Sequence, residues 1–356
     1  MKIVFCTIHP APYFDRLFDY LRANDVETEA WYVEARNAEK EWKAYVPEDV
    51  HLYKDMNLWQ KARRWAQADF VVLPWAQRES LIIALWLWLC RRRFAFYLDH
   101  PDPDSTKATG LVRMAKRLLM GLATCMFPAC QTCADYLQKT YGLSTNKMRV
   151  FPYTHSERPQ EQDAINAARI RALRQGCRPR LLIASRFVER KGYSVVLEAF
   201  QLLKQEGRLD QLDITIAGSG ELYGTYKAAL SALAPHITFC GWVENQEYER
   251  LLSQTDIYLH PSLFEPFGIP PLDAMERDKM LIASEGVKST DIFTDCKGVI
   301  LYPARDAKAL ADALARCLDQ PTDLYDWAAD NPQHCQQHYA MGVNLQAILS
   351  ASTTAQ

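Results

Sequence analysis

Short apolar runs alternate with amphipathic stretches along almost the whole chain, the rhythm of β-α-β units on a parallel sheet. In the first half, runs at 2–6, 28–32, 70–73, 94–98, 124–127 and 148–151 predict strands. Between them, 14–22, 58–66, 80–89, 111–120 and 133–141 predict helices from their apolar spacing. Residues 156–178 break this rhythm: they are polar, and Pro159 and Pro179 bracket them. The alternation then restarts. Strands are expected at 181–184, 213–217, 237–240, 257–260, 280–283 and 299–302. Helices are expected over 193–205, from Leu222 onward, over 306–318 with Asp306 as N-cap, and through the tail at 327–350. The expected organisation is a Rossmann-like domain over 1–158, a linker over 159–179, a second Rossmann-like domain over 180–330 and a helical tail over 331–356. Two doubly wound domains facing one another would place a ligand cleft at the carboxyl ends of their strands.

Length and composition fit this reading. The 356 residues suffice for two cores, and 49% hydrophobic with 24% charged is ordinary for a globular enzyme. Residues 1–158 hold 22 Lys and Arg against 18 Asp and Glu, and the remainder holds 19 against 25. That mild basic–acidic split is too diffuse for a nucleic-acid footprint, and no nucleic-acid partner is expected. The ten cysteines are scattered; Cys130 and Cys133 form a single C-x-x-C without a second pair, so buried thiols in a reducing compartment are expected. The N-terminus opens directly on a strand-like run without a signal-peptide pattern. The longest apolar run, 81–90, is about half of what a bilayer crossing needs. A cytoplasmic protein is the expectation.

Chemistry concentrates in two places. The stretch 260–276, HPSLFEPFGIPPLDAME, runs from a buried strand through a Gly- and Pro-containing loop into a helix. Pro270 and Pro271 suit a first helical turn, and the helix start offers backbone donors to an anion. Glu265 stands before that start and Asp273 within the helix, so one carboxylate can face a polyol or developing cation while the other binds hydroxyls. The second place is SRFVERKG at 185–192, directly after a strand. Arg186 and Lys191 there suit a diphosphate, Arg through its planar fork and Lys as a point charge.

On these residues the second half resembles the donor domain of family 4 retaining GT-B glycosyltransferases of the bacterial surface-polysaccharide type. Residues 186–192 match the family's R-x4-K-G phosphate motif and 216–220 its glycine turn. Residues 239–243 match its strand beside the nucleotide base, and 256–275 the block ending in Glu-x7-Glu. One position departs: the second glutamate of that motif is Asp273 here, shorter by one methylene, with Glu276 one turn further on. The resemblance implies a GT-B fold whose C-terminal helix packs back on the first domain. It implies a nucleotide diphosphate sugar, of UDP or GDP type, as donor, with neither cofactor nor metal. Arg186 and Lys191 would bind the diphosphate, Glu265 the sugar hydroxyls and Asp273 the ribose. The backbone from Phe267 through Gly268 to Ile269 would contact sugar or phosphate, with Gly218 and Gly220 in the glycine turn and Trp242 and Val243 beside the base. In the looser first half, the loop at His9 and Tyr13 and the segment Asp99-His100-Pro101-Asp102 occupy acceptor-side positions, with His100 orienting sugar or acceptor.

The implied reaction moves a hexose or N-acetylhexosamine to a glycan or lipid-linked saccharide with retained anomeric configuration. Cations flanking the apolar segments 81–89 and 111–126 add an expected peripheral contact of the first domain with the inner face of a membrane. Asp102-Pro103-Asp104 spells D-x-D, but among prolines it reads as a turn. The glycine turn lacks the third glycine of a dinucleotide fingerprint, so dehydrogenase chemistry is disfavoured. Two rivals remain open on the same fold: an inactive scaffold or glycan-binding module, suggested by Asp273, and a sugar-nucleotide epimerase.

Overall fold

The computed structural model of the chain describes residues 1–7, 10–32, 51–52, 55–75, 78–101, 110–234 and 236–353. Two compact units result, one made of Met1–Thr154 with Tyr339–Gln356, the other of His155–His338. The first begins β1 (Lys2–Thr7), α1 (Pro12–Ala23), β2 (Glu27–Tyr32), β3 (His51–Leu52), α2 (Leu58–Gln67) and β4 (Phe70–Pro74). It continues α3 (Arg78–Leu89), β5 (Phe94–Leu98), α4 (Gly110–Leu122), β6 (Cys125–Pro128) and α5 (Gln131–Tyr141). Every residue of β4, β5 and β6 is buried, as a parallel sheet covered on both faces requires.

The second unit runs α6 (Gln162–Arg174), β7 (Arg180–Ala184), α7 (Tyr193–Gln205), β8 (Asp213–Ala217), α8 (Tyr223–Leu233), β9 (Thr238–Gly241) and α9 (Asn245–Gln254). Then follow β10 (Ile257–His260), α10 (Ile269–Met275), β11 (Met280–Ser284), β12 (Val299–Tyr302), α11 (Ala307–Asp319), α12 (Leu324–Ala328) and α13 (Asn331–Tyr339). Asp306 caps α11 as expected, its side chain accepting from Ala309 N at 2.9 Å. The last helix, α14 (Met341–Thr353), returns to the first unit. There buried Asn344 donates to Pro152 O at 2.9 Å, and Arg149 Nε reaches Ser350 Oγ at 3.2 Å.

The two sheets are wound alike. The first has the order β3-β2-β1-β4-β5-β6 and the second β12-β11-β10-β7-β8-β9, with all strands parallel. Counted from each unit's first strand, both read 3-2-1-4-5-6. The order reverses between β7 and β10, the position at which sheets wound in this way place their ligands.

Two expectations are corrected. Residues 148–151 do not form a strand. Arg149 N and Phe151 N donate to Met126 O and Pro128 O, but only the bridge Met126–Met148 registers. The return bond would need an N–H on Pro128, which proline lacks. Residues 159–179 are not a linker, because α6 fills most of the segment. Its inward stripe, Gln162, Asn166, Arg169 and Leu173, has helical spacing but is three-quarters polar, which hid it from a reading of apolar periodicity. Arg169 forks onto buried Asp256 at 3.1 and 2.7 Å, and Asn166 accepts from buried Lys279 at 2.7 Å. Those partners hold the helix in the second unit.

Candidate functional site

Because β7 and β10 are neighbours at the reversal, loops 185–192 and 261–268 leave the second sheet side by side. Their backbones join where Leu263 N donates to Arg190 O at 2.8 Å. That approach needs Gly192: its φ is +72°, and an added Cβ would lie 2.1 Å from Pro261 O. After β8, Gly218 has φ +143°, and its Cβ would lie 1.9 Å from Ser185 O. Next along that turn, Ser219 O accepts from Phe187 N at 2.8 Å and Gly220 O from Tyr223 N at 3.1 Å. Phe187 stacks on Tyr193 with centroids 3.9 Å apart, and the Tyr193 hydroxyl donates to Ser185 O at 3.1 Å. The cation-bearing loop is thereby pinned from beneath and from the side.

On this frame the side chains converge. Lys191, buried, forms an ion pair and hydrogen bond with Glu265 Oε2, and Arg190 Nη1 lies 3.3 Å from the same oxygen. His260 Nε2 stands 3.9 Å from it and 3.3 Å from Ser262 Oγ. Burial by itself would raise the Glu265 carboxyl, but His260 and Lys191 outweigh it and hold it well below the usual carboxylate range. Burial lowers Lys191, against the pull of Glu265 and with help from Arg190 and Arg186. Burial also lowers His260, favouring its neutral form. Arg186 is exposed, and its guanidinium makes no hydrogen bond among the described residues. The cluster therefore holds a fixed anion, two cations engaged on it and a third cation that is uncommitted.

Phe267 and Gly268 are buried just before α10, Phe267 O accepting from Ser289 N at 2.9 Å, and Ile269 opens that helix. A Cβ on Gly268 would lie 3.3 Å from Glu265 Cγ, so this turn sits directly beside the carboxylate. Trp242 and Val243 follow Gly241, whose carbonyl accepts from Gly218 N at 2.7 Å; Trp242 is 39% exposed and available to a flat ligand. Asp273 points elsewhere. Its Oδ1 accepts from Ser156 N at 2.6 Å and Ser156 Oγ at 2.7 Å, and its Oδ2 from Tyr248 OH at 3.1 Å. A ribose hydroxyl reaching Asp273 would have to share or displace Tyr248. Glu276 does not extend that face; its Oε2 accepts from Gln336 at 3.5 Å.

In the first unit, His100 is buried with Nδ1 2.8 Å from Pro101 O and its ring 5.2 Å from that of Tyr136. Tyr13 packs edge-on against Tyr153, whose hydroxyl donates to Asp99 at 2.6 Å. His9 and Asp102 lie outside the described residues. Four contributors escaped the sequence reading: Arg190 and His260 around Glu265, and Ser156 and Tyr248 around Asp273. Arg190 and His260 lay inside the quoted motifs. Nothing in the chain order announces Ser156 or Tyr248.

Residues 166–334 match the family model described as glycosyl transferases group 1. The amylovoran biosynthesis glycosyltransferase AmsK of Erwinia amylovora is 30% identical over 153 residues, 41% of this chain and 37% of that protein. The alpha-D-kanosaminyltransferase of Streptomyces kanamyceticus is 25% identical over 240 residues, 65% of this chain and 61% of that protein. The matches thus span about a third to three-fifths of these curated relatives. The crystal structure of Anabaena Alr3699/HepE in complex with UDP superposes with a TM-score of 0.73 at 16% identity, covering 99% of this chain and all of that one. The second unit is therefore a member of the glycosyl transferases group 1 family, in a chain built on the GT-B class of fold.

Proposed function

We propose that the chain is a retaining glycosyltransferase that takes a hexose or N-acetylhexosamine from a nucleotide diphosphate sugar in its second unit. The observation that carries this reading is the cluster at the strand reversal, where Lys191 and Arg190 meet the Glu265 carboxylate from a loop 74 residues away and Arg186 stands exposed on the same loop. With no donor bound, Glu265 is neutralised by Lys191 and Arg190. A pyrophosphate entering beside Arg186 recruits Lys191, and the released carboxylate accepts hydroxyl hydrogens from the transferred sugar. Positioning and charge stabilisation of a cation-like transition state then supply the rate, with no protein nucleophile required. UDP in the HepE complex, and the saccharide-related names of AmsK and the kanosaminyltransferase, support a nucleotide-sugar donor and a saccharide acceptor. The test is release of UDP or GDP from their sugars in the presence of saccharide acceptors. Turnover by the wild type and its loss in Glu265→Ala is the expected result. A folded wild type inert toward every donor would favour the scaffold reading.

The acceptor belongs with the first unit, and we assign it a lipid-linked saccharide. α3 packs beside α4, and Ile82, Leu89, Leu111 and Leu118 on these helices are 65–76% exposed. Arg113 and Lys116 lie among them on α4. Holding these apolar side chains in water is unfavourable, whereas a leaflet of anionic lipid matches both their apolar and the neighbouring cationic character. Among the described residues no helix is long and apolar enough to cross a membrane. Co-sedimentation with phosphatidylcholine vesicles should rise when phosphatidylglycerol is included and fall in Leu111→Ser/Leu118→Ser. Indifference to both changes would remove the membrane from the account.

A further inference from the structure

Outside the cluster at the strand reversal, the second unit gathers three metal-ligating side chains that the sugar-transfer chemistry does not use. His155 begins the unit, Glu276 follows α10, and Cys335 lies on α13. Their donor atoms all lie within 4.8 Å of one another: His155 Nε2 is 3.6 Å from Cys335 Sγ and 3.8 Å from Glu276 Oε1. A tetrahedral zinc with ordinary Zn–S and Zn–N lengths sets its nitrogen and sulfur about 3.6 Å apart, and its nitrogen and carboxylate oxygen about 3.3 Å apart. The imidazole is already oriented for such an ion. Nδ1 lies 3.2 Å from Ser156 O, a carbonyl that can only accept, so Nδ1 carries the proton and the Nε2 lone pair faces the thiol and the carboxylate. Glu276 is 3% exposed, and its Oε1, turned toward His155, is buried with no hydrogen-bond partner among the described residues.

We propose that His155 Nε2, Glu276 Oε1 and Cys335 Sγ bind one Zn²⁺, with a water completing the coordination. Thiolate, imidazole and carboxylate together suit zinc over magnesium or calcium, which prefer oxygen alone. Binding replaces the thiol proton by the metal, so one proton leaves for each ion taken up. The site is a clip. It ties the first residue of the unit to the end of α10 and to α13, and it fixes the neighbour of His155, Ser156, whose amide and hydroxyl hold Asp273. The three ligands come from positions 155, 276 and 335, so no spacing along the chain betrays them.

The full chain purified from zinc-supplemented cells should contain about one zinc per chain, and its melting temperature should fall on chelation and recover on return of Zn²⁺ alone. Cys335→Ser and His155→Ala should each weaken zinc binding by about 10–100-fold or more, while Cys177→Ser, at an exposed thiol outside the cluster, should keep it. Should the cluster variants fail to fold, cobalt(II) in the chelated wild type decides through its thiolate-to-metal absorption band. A folded wild type with neither stoichiometric zinc nor that band overturns the proposal. So does a folded Cys335→Ser that retains its metal.

Discussion

Replacing Arg186 by alanine separates ligand binding from folding. The side chain is exposed and makes no hydrogen bond among the described residues, so the folded state loses almost nothing. Such a surface change shifts stability by about 0.5 kcal/mol at most. The bound state is different. If the guanidinium meets the donor's pyrophosphate, its removal costs a charge-assisted contact worth about 1.5–3 kcal/mol. That corresponds to roughly 10–150-fold weaker binding. Lys191→Ala provides the contrast, because it removes a buried lysine and strips half-buried Glu265 of its ion-pair partner, so it should destabilise the fold as well as weaken binding. Calorimetric titration of UDP and GDP into both variants, beside urea unfolding, reads the two quantities independently. Wild-type nucleotide affinity in a normally folded Arg186→Ala would show that the diphosphate does not lie beside this loop.

Three further outcomes follow from the second unit. Asp256→Asn breaks the buried bidentate pair with Arg169, and urea denaturation should show a loss of about 3–5 kcal/mol; a loss below about 1 kcal/mol would mean that α6 is held by other contacts. Gly218→Ala forces a Cβ to 1.9 Å from Ser185 O at φ +143°, so thermal melting should report at least about 1–3 kcal/mol of destabilisation together with weakened UDP binding. Unchanged values on both axes would contradict the close approach of these two loops. Lys279 is fully buried and lowered by that burial from 10.5 to about 7. Between those two values the unfolded chain holds a proton that the folded chain lacks, so folding stability rises with pH there and is flat below about 7 on this account. Lys279→Met should abolish this rise, which amounts to on the order of 4 kcal/mol; parallel wild-type and variant unfolding curves from pH 7 to 10 would refute it.

Most of the fold was legible because parallel strands buried on both faces print continuous apolar runs. Phe94–Leu98, Asp213–Ala217, Ile257–His260 and Val299–Tyr302 form with the bounds expected from sequence. Legibility ended where burial is polar. α6 presents Gln162, Asn166 and Arg169 to partners supplied by the end of α9, by Asp256 just before β10 and by the turn after α10, and such a stripe looks solvated until its partners are known. Within the candidate site, the loop residues were readable because their motifs lie on contiguous segments. Lys191 beside Glu265 could be anticipated only as two separate signals, since the β7–β10 pairing that joins them is a property of strand order. The occupation of Asp273 by Ser156 and Tyr248 rests on contacts 117 and 25 residues away. The first-unit residues His9 and Asp102 stay expectations from sequence.

The most direct measurement is a structure of the full chain crystallised with UDP. The diphosphate is expected at the carboxyl ends of β7 and β10, bonded by Arg186 and Lys191, with the uracil ring against Trp242 and Val243 and Glu265 released from Lys191. UDP found at another site, or the Lys191–Glu265 pair intact beneath a bound diphosphate, would contradict it.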